Sequence, residues 1–151
     1  METVNLSKSA PSAYALVSEL DRRITEDLSK AGVSEGFSHL LRLRVSQINR
    51  CGYCIRLHAR DALRHGESLD RVALLVAWGE TSLFTERERV AIQLVESITL
   101  VNSGHIPNDT LRKAAPILNV EEISAVGWLA ILMNSWNRIA IASRYPVTST
   151  N

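Results

Sequence analysis

The sequence predicts an all-α protein with a single domain of six to seven helices. Apolar residues recur at three- and four-residue spacing in several long segments, as they do along one face of a helix. These segments begin at capping residues and end at glycine, asparagine or proline, and no segment shows the alternation typical of a strand. A length of 151 residues suits one domain, with residues 1–10 and 146–151 expected as loose tails.

The first two helices are predicted before the only cysteines of the chain. One covers Pro11–Ala31, where proline suits the first turn and Gly32 follows the end. The next covers about Glu35–Asn49, with apolar residues at helical spacing, and Asn49-Arg50 breaks it. The two cysteines, Cys51 and Cys54, therefore lie where one helix ends and the next begins.

Two helices are predicted in the middle of the chain. The one that contains the cysteines runs to about His65, and Gly66 is placed as its C-terminal cap. Ser68 can cap a further helix that reaches about Ala77, after which Trp78-Gly-Glu leads into a turn.

Capping boxes mark two helices in the second half of the chain. The pattern Thr85-Glu-Arg-Glu88 opens a helix that ends near Gly104, and Asn119 to Glu122 opens another that ends near Ser143. A short helix between them starts near Pro107 and is interrupted or ended by Pro116 before Leu118. The last helix is apolar on nearly every face, so it must be buried in the core or against another subunit.

The segment Cys51-Gly-Tyr-Cys54-Ile-Arg-Leu-His58 is the candidate centre of chemistry. On a helix the two sulfurs and the imidazole share one face, because residues three and four apart are neighbours. A helix N-terminus favours thiolate over thiol, and His58 can take or return a proton. Asp61, three residues further, could orient that imidazole. The pattern indicates a redox dithiol with a neighbouring base.

Plainer interpretations of the same residues stay open. The cysteines could be buried structural residues, or Cys51, Cys54 and His58 could hold zinc with His39 as the fourth ligand. Asp61 could simply be an exposed partner of Arg60 or Arg64. The arginines at 56, 60 and 64 fit a solvated face, with binding of an anionic partner as the alternative.

Composition excludes some classes of function. A net charge of +1 argues against nucleic-acid binding, which requires a strong basic bias. No segment approaches the roughly 18 apolar residues of a membrane span, and the first 12 residues lack the apolar core of a signal peptide. We therefore expect a cytoplasmic protein, in which a bond between the two cysteines is transient and is used in catalysis or sensing.

Several motifs together carry a resemblance to a known family. They are Leu40-Leu-Arg-Leu-Arg-Val-Ser-Gln-Ile-Asn49, Cys51-Gly-Tyr-Cys54, His58-Ala-Arg-Asp-Ala62, Ala77-Trp-Gly-Glu-Thr81, Thr85-Glu-Arg-Glu-Arg-Val-Ala91, Val95-Glu-Ser-Ile-Thr99 and Asn134-Ser-Trp-Asn-Arg-Ile139. With these motifs the chain resembles the carboxymuconolactone decarboxylase and alkylhydroperoxidase D-like (AhpD-like) superfamily. The resemblance covers roughly Tyr14 to Tyr145.

The resemblance implies a helical fold that forms homo-oligomers, often trimers or hexamers built as dimers of trimers. It implies reduction of a hydroperoxide, in which Cys54 attacks the O–O bond and Cys51 resolves the resulting sulfenic acid to a disulfide. It gives His58 a place in the proton relay. A dithiol reductant, in the best-understood members a lipoyl-bearing protein, then restores the cysteines. No organic cofactor and no metal is implied.

Two positions depart from the pattern of the family. The relay glutamate lies twelve residues before the first cysteine, and here that residue is His39. Histidine can move protons but lacks the fixed negative charge of a carboxylate, so Glu35 or Glu96 could substitute, or His39 could be inert. Glu96 could equally be a carboxylate at the flank of its helix. Some relatives carry histidine where this chain has Tyr53.

Three hypotheses follow. The first is a thiol-dependent peroxidase or disulfide reductase with Cys51, Cys54, His58 and His39 as its catalytic residues. The second is an enzyme like carboxymuconolactone decarboxylase, with a histidine as acid or base and arginines that bind a carboxylate. The third is a non-catalytic oligomeric module that senses redox state or binds zinc.

Overall fold

The computed structural model describes residues 4–149, and these form helices joined by short connections with no strand among them. The α-helices in chain order are α1 (Leu6–Ser9), α2 (Pro11–Lys30), α3 (Glu35–Ile48), α4 (Gly52–Arg64), α5 (Leu69–Leu74), α6 (Glu86–Thr99), α7 (Asn108–Ala114) and α8 (Val120–Ala142). Two 3₁₀ turns, Leu75–Glu80 and Val101–Ser103, follow α5 and α6. The prediction of an all-α bundle is confirmed.

The ends of the chain and the middle connections differ in detail from the predictions. Residues 6–9, expected to be loose, form one helical turn that Asn5 caps through its side chain. The outermost parts of the two predicted tails, 1–3 and 150–151, lie outside the described residues. The helix predicted from Ser68 to Ala77 tightens into a 3₁₀ turn from Leu75 onward, and Ala77 has a non-helical backbone. The helix α7 ends at Ala114, because Pro116 has no backbone N–H to donate to the carbonyl one turn earlier.

Both predicted capping boxes are present. Thr85 accepts a hydrogen bond from the backbone N–H of Glu88, and the Glu88 carboxylate accepts one from the backbone of Thr85. Asn119 and Glu122 make the same reciprocal pair at the start of α8. Each box satisfies two of the four backbone donors that a helix N-terminus leaves without partners, so these helices start where the sequence indicates.

The core lies where α8 packs against α2, α3 and α6. The largest fully buried side chains are aliphatic: Leu28, Leu40, Leu41, Leu43, Val45, Leu75, Ile92, Leu94, Val95, Leu129, Leu132 and Met133. One side of α8 belongs to this core, while Trp128 and Ile131 on another side are each about half exposed, at 50% and 48%. Within one chain, the apolar helix is therefore only partly covered.

Side-chain amides connect α3 to α8 directly before the cysteines. Asn137 is fully buried, donates to the Ser46 hydroxyl at 3.0 Å and accepts from the Asn49 amide at 2.9 Å. Asn49 also donates to Asn134 at 2.9 Å. After it, Arg50 adopts a left-handed backbone conformation with φ of 56°, which turns the chain into α4. This contact between helices therefore holds the segment that leads into Cys51.

Along the part of the chain that the structure describes, we find no helix with the length and apolar character that crossing a membrane requires. The longest apolar helix is α8, and it carries polar residues, among them Asn134 and Asn137, in its second half.

Candidate active site

The two cysteines lie at the start of α4 and form a disulfide with each other. Cys51 is the N-cap residue, and its sulfur accepts a hydrogen bond from the backbone N–H of Cys54 at 3.3 Å. Both side chains are buried, with 1% and 3% of their surface exposed. The two cysteines therefore lie at a helix N-terminus, as the sequence predicts.

A cavity of about 200 Å³ opens in front of Cys54. Its lining comes from α2, α3, α4, α8 and the segment after α8, and consists of Tyr14, Asp21, Arg42, Tyr53, Cys54, Leu57, His58, Met133, Trp136, Ala140 and Tyr145. Cys51 is not part of this lining. A small molecule in the cavity therefore meets Cys54 and His58.

Aromatic side chains form much of the wall. Tyr14 meets Trp136 edge to face with ring centroids 5.1 Å apart, and Tyr53 meets Tyr145 in the same way at 5.1 Å. Burial, together with Tyr145 and Tyr53 nearby, raises the pKa of Tyr14, so its phenol stays protonated at neutral pH. Tyr53, predicted as a supporting residue, thus contributes to the wall of the cavity. This aromatic part of the wall is largely apolar and carries phenol hydroxyl groups.

His58 lies one turn after Cys54 and is buried, with 7% of its surface exposed. Its Nδ1 is 3.3 Å from Nδ1 of His39 on α3, so one of the two nitrogens carries a proton and donates it to the other. Burial, with further contributions from Arg42 and His39, lowers the pKa of His58 to about 3. Burial and Arg42 also lower the pKa of His39. With the cysteines oxidised, both imidazoles are therefore neutral at neutral pH.

The row of histidines continues to the surface. The rings of His39 and His65 are nearly parallel, with an angle of 25° and centroids 5.3 Å apart. His65 Nδ1 lies 3.2 Å from a carboxylate oxygen of Glu35, and the side chains of these two residues are 38% and 63% exposed. The sequence drew attention to His39 and Glu35 but not to His65, although His65 lies seven residues after His58 and so shares its helical face.

An ion pair between the buried Arg42 and the partly exposed Asp21 forms the polar end of the cavity. Arg42 Nη2 lies 2.8 Å from Asp21 Oδ1 and donates to Thr25 at 3.1 Å, and its side chain is only 5% exposed. The indole N–H of Trp136 donates to the other oxygen of Asp21 at 3.0 Å. No motif predicted these contacts, because they join α2, α3 and α8 across large separations in sequence.

Asp61 and Glu96 have different surroundings. Asp61 pairs with the exposed Arg64 at 3.3 Å, and one of its oxygens also lies within 4.8 Å of ring nitrogens of His39 and His58. The Glu96 carboxylate accepts from Arg44 Nε at 2.6 Å and from Trp78 Nε1 at 2.8 Å, and it does not line the cavity at Cys54. Glu96 therefore joins α3 to the 3₁₀ turn after α5 and is not placed to substitute for a relay glutamate.

The alternative zinc site with four protein ligands does not form in this disulfide state. Cys51 and Cys54 are bonded to each other and so cannot bind zinc as thiolates, which leaves only His39 and His58 of that predicted set.

Comparison with known proteins shows to which family this chain belongs. The sequence profile of the Carboxymuconolactone decarboxylase family matches residues 11–97, which include α2, α3, both cysteines and His58. The chain belongs to the carboxymuconolactone decarboxylase family. This membership confirms the family to which the sequence motifs pointed.

Two relatives match over nearly their whole lengths. The uncharacterized protein YdfG of Bacillus subtilis is 28% identical over 141 residues, which are 93% of each chain. The crystal structure of ATU0492 from Agrobacterium tumefaciens has a TM-score of 0.88 and 28% identity, and the match covers 99% of this chain and all of that one. ATU0492 is described as a protein of unknown function and as a candidate antioxidant defence protein AhpD. The AhpD-like fold predicted for this chain is thereby confirmed.

Proposed function

We propose that this protein is a thiol-dependent peroxidase that reduces a hydroperoxide with Cys51 and Cys54. The observation that carries the proposal is the position of Cys54. Its sulfur can bond to Cys51, and it lies at the wall of a cavity that also contains His58. Membership of the family, and the description of ATU0492 as a candidate AhpD, support the same class of chemistry.

The two cysteines have different roles in this proposal. The Cys54 thiolate attacks the outer oxygen of the hydroperoxide and the O–O bond breaks. The leaving alkoxide takes up a proton and departs as an alcohol, and Cys54 becomes a sulfenic acid. The sulfur of Cys51 then attacks that of Cys54, the S–O bond breaks, and water leaves with the proton of the Cys51 thiol. Because Cys54 lines the cavity and Cys51 does not, Cys54 is the residue that meets peroxide.

The histidine pair handles protons in this scheme. His58 shares the cavity with Cys54, and His39 is hydrogen-bonded to it at the position where the family has a glutamate. When Cys54 is reduced to a thiolate, its negative charge favours a proton on the neighbouring imidazole, which can then pass to the leaving alkoxide. His39 holds His58 in a fixed orientation through the bond between their Nδ1 atoms.

The catalytic cycle requires a partner that carries a dithiol. The disulfide returns to two thiols by exchange, in which two thiols of the partner become its own disulfide. We propose a protein-bound dithiol such as a lipoyl group as that partner, a reducing compartment such as the cytoplasm as the location, and a homo-oligomer, a trimer or hexamer, as the assembly. The half-exposed apolar residues Trp128 and Ile131 on α8 fit burial between subunits.

Intact-mass spectrometry of the reduced protein after one equivalent of organic hydroperoxide tests the proposal. We expect rapid loss of two hydrogen atoms in the wild type. Cys51→Ser should gain one oxygen atom and form no intramolecular disulfide, and Cys54→Ser should react no faster than an ordinary thiol. Equal reactivity of the two variants would contradict the assignment of Cys54. Rapid oxidation without turnover on any dithiol would instead indicate a redox sensor.

Arg42 in the same cavity supports a second candidate, an activity like that of carboxymuconolactone decarboxylase. A guanidinium beside His58 could bind the carboxylate of a lactone acid while the histidine acts as acid or base. Asp21 already neutralises Arg42 at 2.8 Å, which makes this candidate the weaker one. Replacing both cysteines by serine separates the two activities, because a decarboxylase would keep its rate and a thiol peroxidase would lose it.

A further inference from the structure

A group of metal-ligating side chains lies at the outer end of the histidine row. One ring nitrogen each of His39 and His65 and a carboxylate oxygen of Glu35 all lie within 4.8 Å of one another. A carboxylate oxygen of Glu35 lies 3.2 Å from Nδ1 of His65. Two imidazoles and a carboxylate are a ligand set that zinc and neighbouring transition metals accept.

Two rigid elements present these ligands. Glu35 and His39 are four residues apart on α3 and therefore share one face, and His65 is the C-cap residue of α4. Gly36 allows α4 to end close to α3, since a Cβ atom at this position would lie only 2.8 Å from the carbonyl oxygen of His65. The backbone therefore determines the approach of His65 to the α3 pair, without relying on long flexible side chains.

His58 forms a hydrogen bond with His39. Its Nδ1 lies 3.3 Å from Nδ1 of His39, so His39 can donate this N–H to His58 and keep the lone pair of Nε2 for a metal. Metal-ligating histidines usually donate their second ring nitrogen to a partner that fixes their tautomer in this way. The hydrogen bond between His58 and His39, which the proposed reaction also uses, therefore fixes the tautomer in which His39 can bind a metal.

The charges around these three ligands and their exposure to solvent allow a cation to bind there. Glu35 brings a negative charge to the three ligands, and the nearby Arg42 is neutralised by Asp21 at 2.8 Å. The His65 and Glu35 side chains are 38% and 63% exposed, which gives an ion a path from solvent.

We infer that Glu35, His39 and His65 form a binding site for a divalent transition-metal ion of the zinc class, with the fourth position open to water. The site does not depend on peroxidase activity. If the proposed function holds, a bound ion removes His39 from proton exchange and slows oxidation of Cys54, so the metal acts as an inhibitor.

Calorimetric titration with Zn²⁺ alone, on the disulfide form and without peroxide, tests the site without competition from thiolates. We expect one ion per chain, and affinity reduced by about tenfold or more in Glu35→Gln and in His65→Asn. Asp61→Asn is the matched control, because Asp61 belongs to a second group with His39 and His58 and its loss should lower the affinity far less than loss of a ligand does. His39→Asn should abolish binding.

Three results would overturn the inference. The first is that Zn²⁺ does not bind stoichiometrically. The second is that neither Glu35→Gln nor His65→Asn weakens binding. The third is that Asp61→Asn abolishes binding while Glu35→Gln and His65→Asn retain it. Because Glu35 and His65 are partly exposed, their variants are expected to fold. Circular dichroism of each variant, together with the visible spectrum of bound Co²⁺, separates loss of a ligand from loss of structure. A failed peroxide assay would leave this result unaffected.

Discussion

Replacing Asn137 by alanine should destabilise the protein by about 3 kcal/mol. The side chain is fully buried on α8, and its amide makes two hydrogen bonds, to Ser46 at 3.0 Å and from Asn49 at 2.9 Å. Each contributes about 1 kcal/mol net, and the void left by the amide adds about 1 kcal/mol. The cost is not larger because Ser46 still donates to the Arg42 carbonyl and Asn49 still donates to Asn134.

Urea denaturation followed by circular dichroism, at one protein concentration for all variants, measures this change in the free energy of unfolding. The melting temperature should fall by about 6–12 °C. Ser135→Ala is the control on the same helix, because its hydroxyl is exposed and bonds only to its own helix at 3.3 Å. It should change stability by less than about 0.5 kcal/mol. A loss below about 1 kcal/mol in Asn137→Ala would refute the argument that this amide joins α3 to α8.

Two further predictions separate structural residues from reactive ones. Glu96→Gln should cost about 2 kcal/mol in urea denaturation, because Arg44 loses its charged acceptor while Trp78 keeps a neutral one, and the rate of peroxide oxidation should stay unchanged. A large fall in that rate with stability preserved would place Glu96 in the reaction after all. Ala140→Phe should partly fill the cavity of about 200 Å³ beside Cys54. In stopped-flow measurements it should slow oxidation by cumene hydroperoxide about tenfold more than oxidation by hydrogen peroxide, and an equal effect on both would show that peroxide reaches the sulfur by another path.

The elements of this protein could be predicted because they depend on local rules. Capping boxes at Thr85 and Asn119 mark where α6 and α8 begin, since a side chain three residues away satisfies the free backbone donors. Gly66 follows the last turn of α4 and has the positive φ of 92° that glycine accepts most readily. The errors lie where the local signal is short or indistinct, as in the single helical turn of residues 6–9 and the 3₁₀ turn after α5.

The candidate site was only partly predictable. Cys51, Cys54 and His58 lie within eight residues, and helical spacing alone places them on one face. The spacing of the family motif pointed to His39, and the structure brings it to 3.3 Å from His58. Glu96 could not be placed in advance, because whether its carboxylate reaches the cavity or Arg44 depends on how α6 packs against α3.

The sequence by itself therefore determined an all-α chain, the family and two cysteines with a histidine in register, since each rests on spacing and motifs along the chain and requires no knowledge of how the helices pack. The tertiary structure decided the aromatic cavity, the ion pair of Arg42 with Asp21, and the approach of His65 to α3. These contacts join residues as far apart as Asp21 and Trp136, and their positions follow from the packing of whole helices. Periodicity shows which face of a helix is buried, but not which residue of another helix meets it.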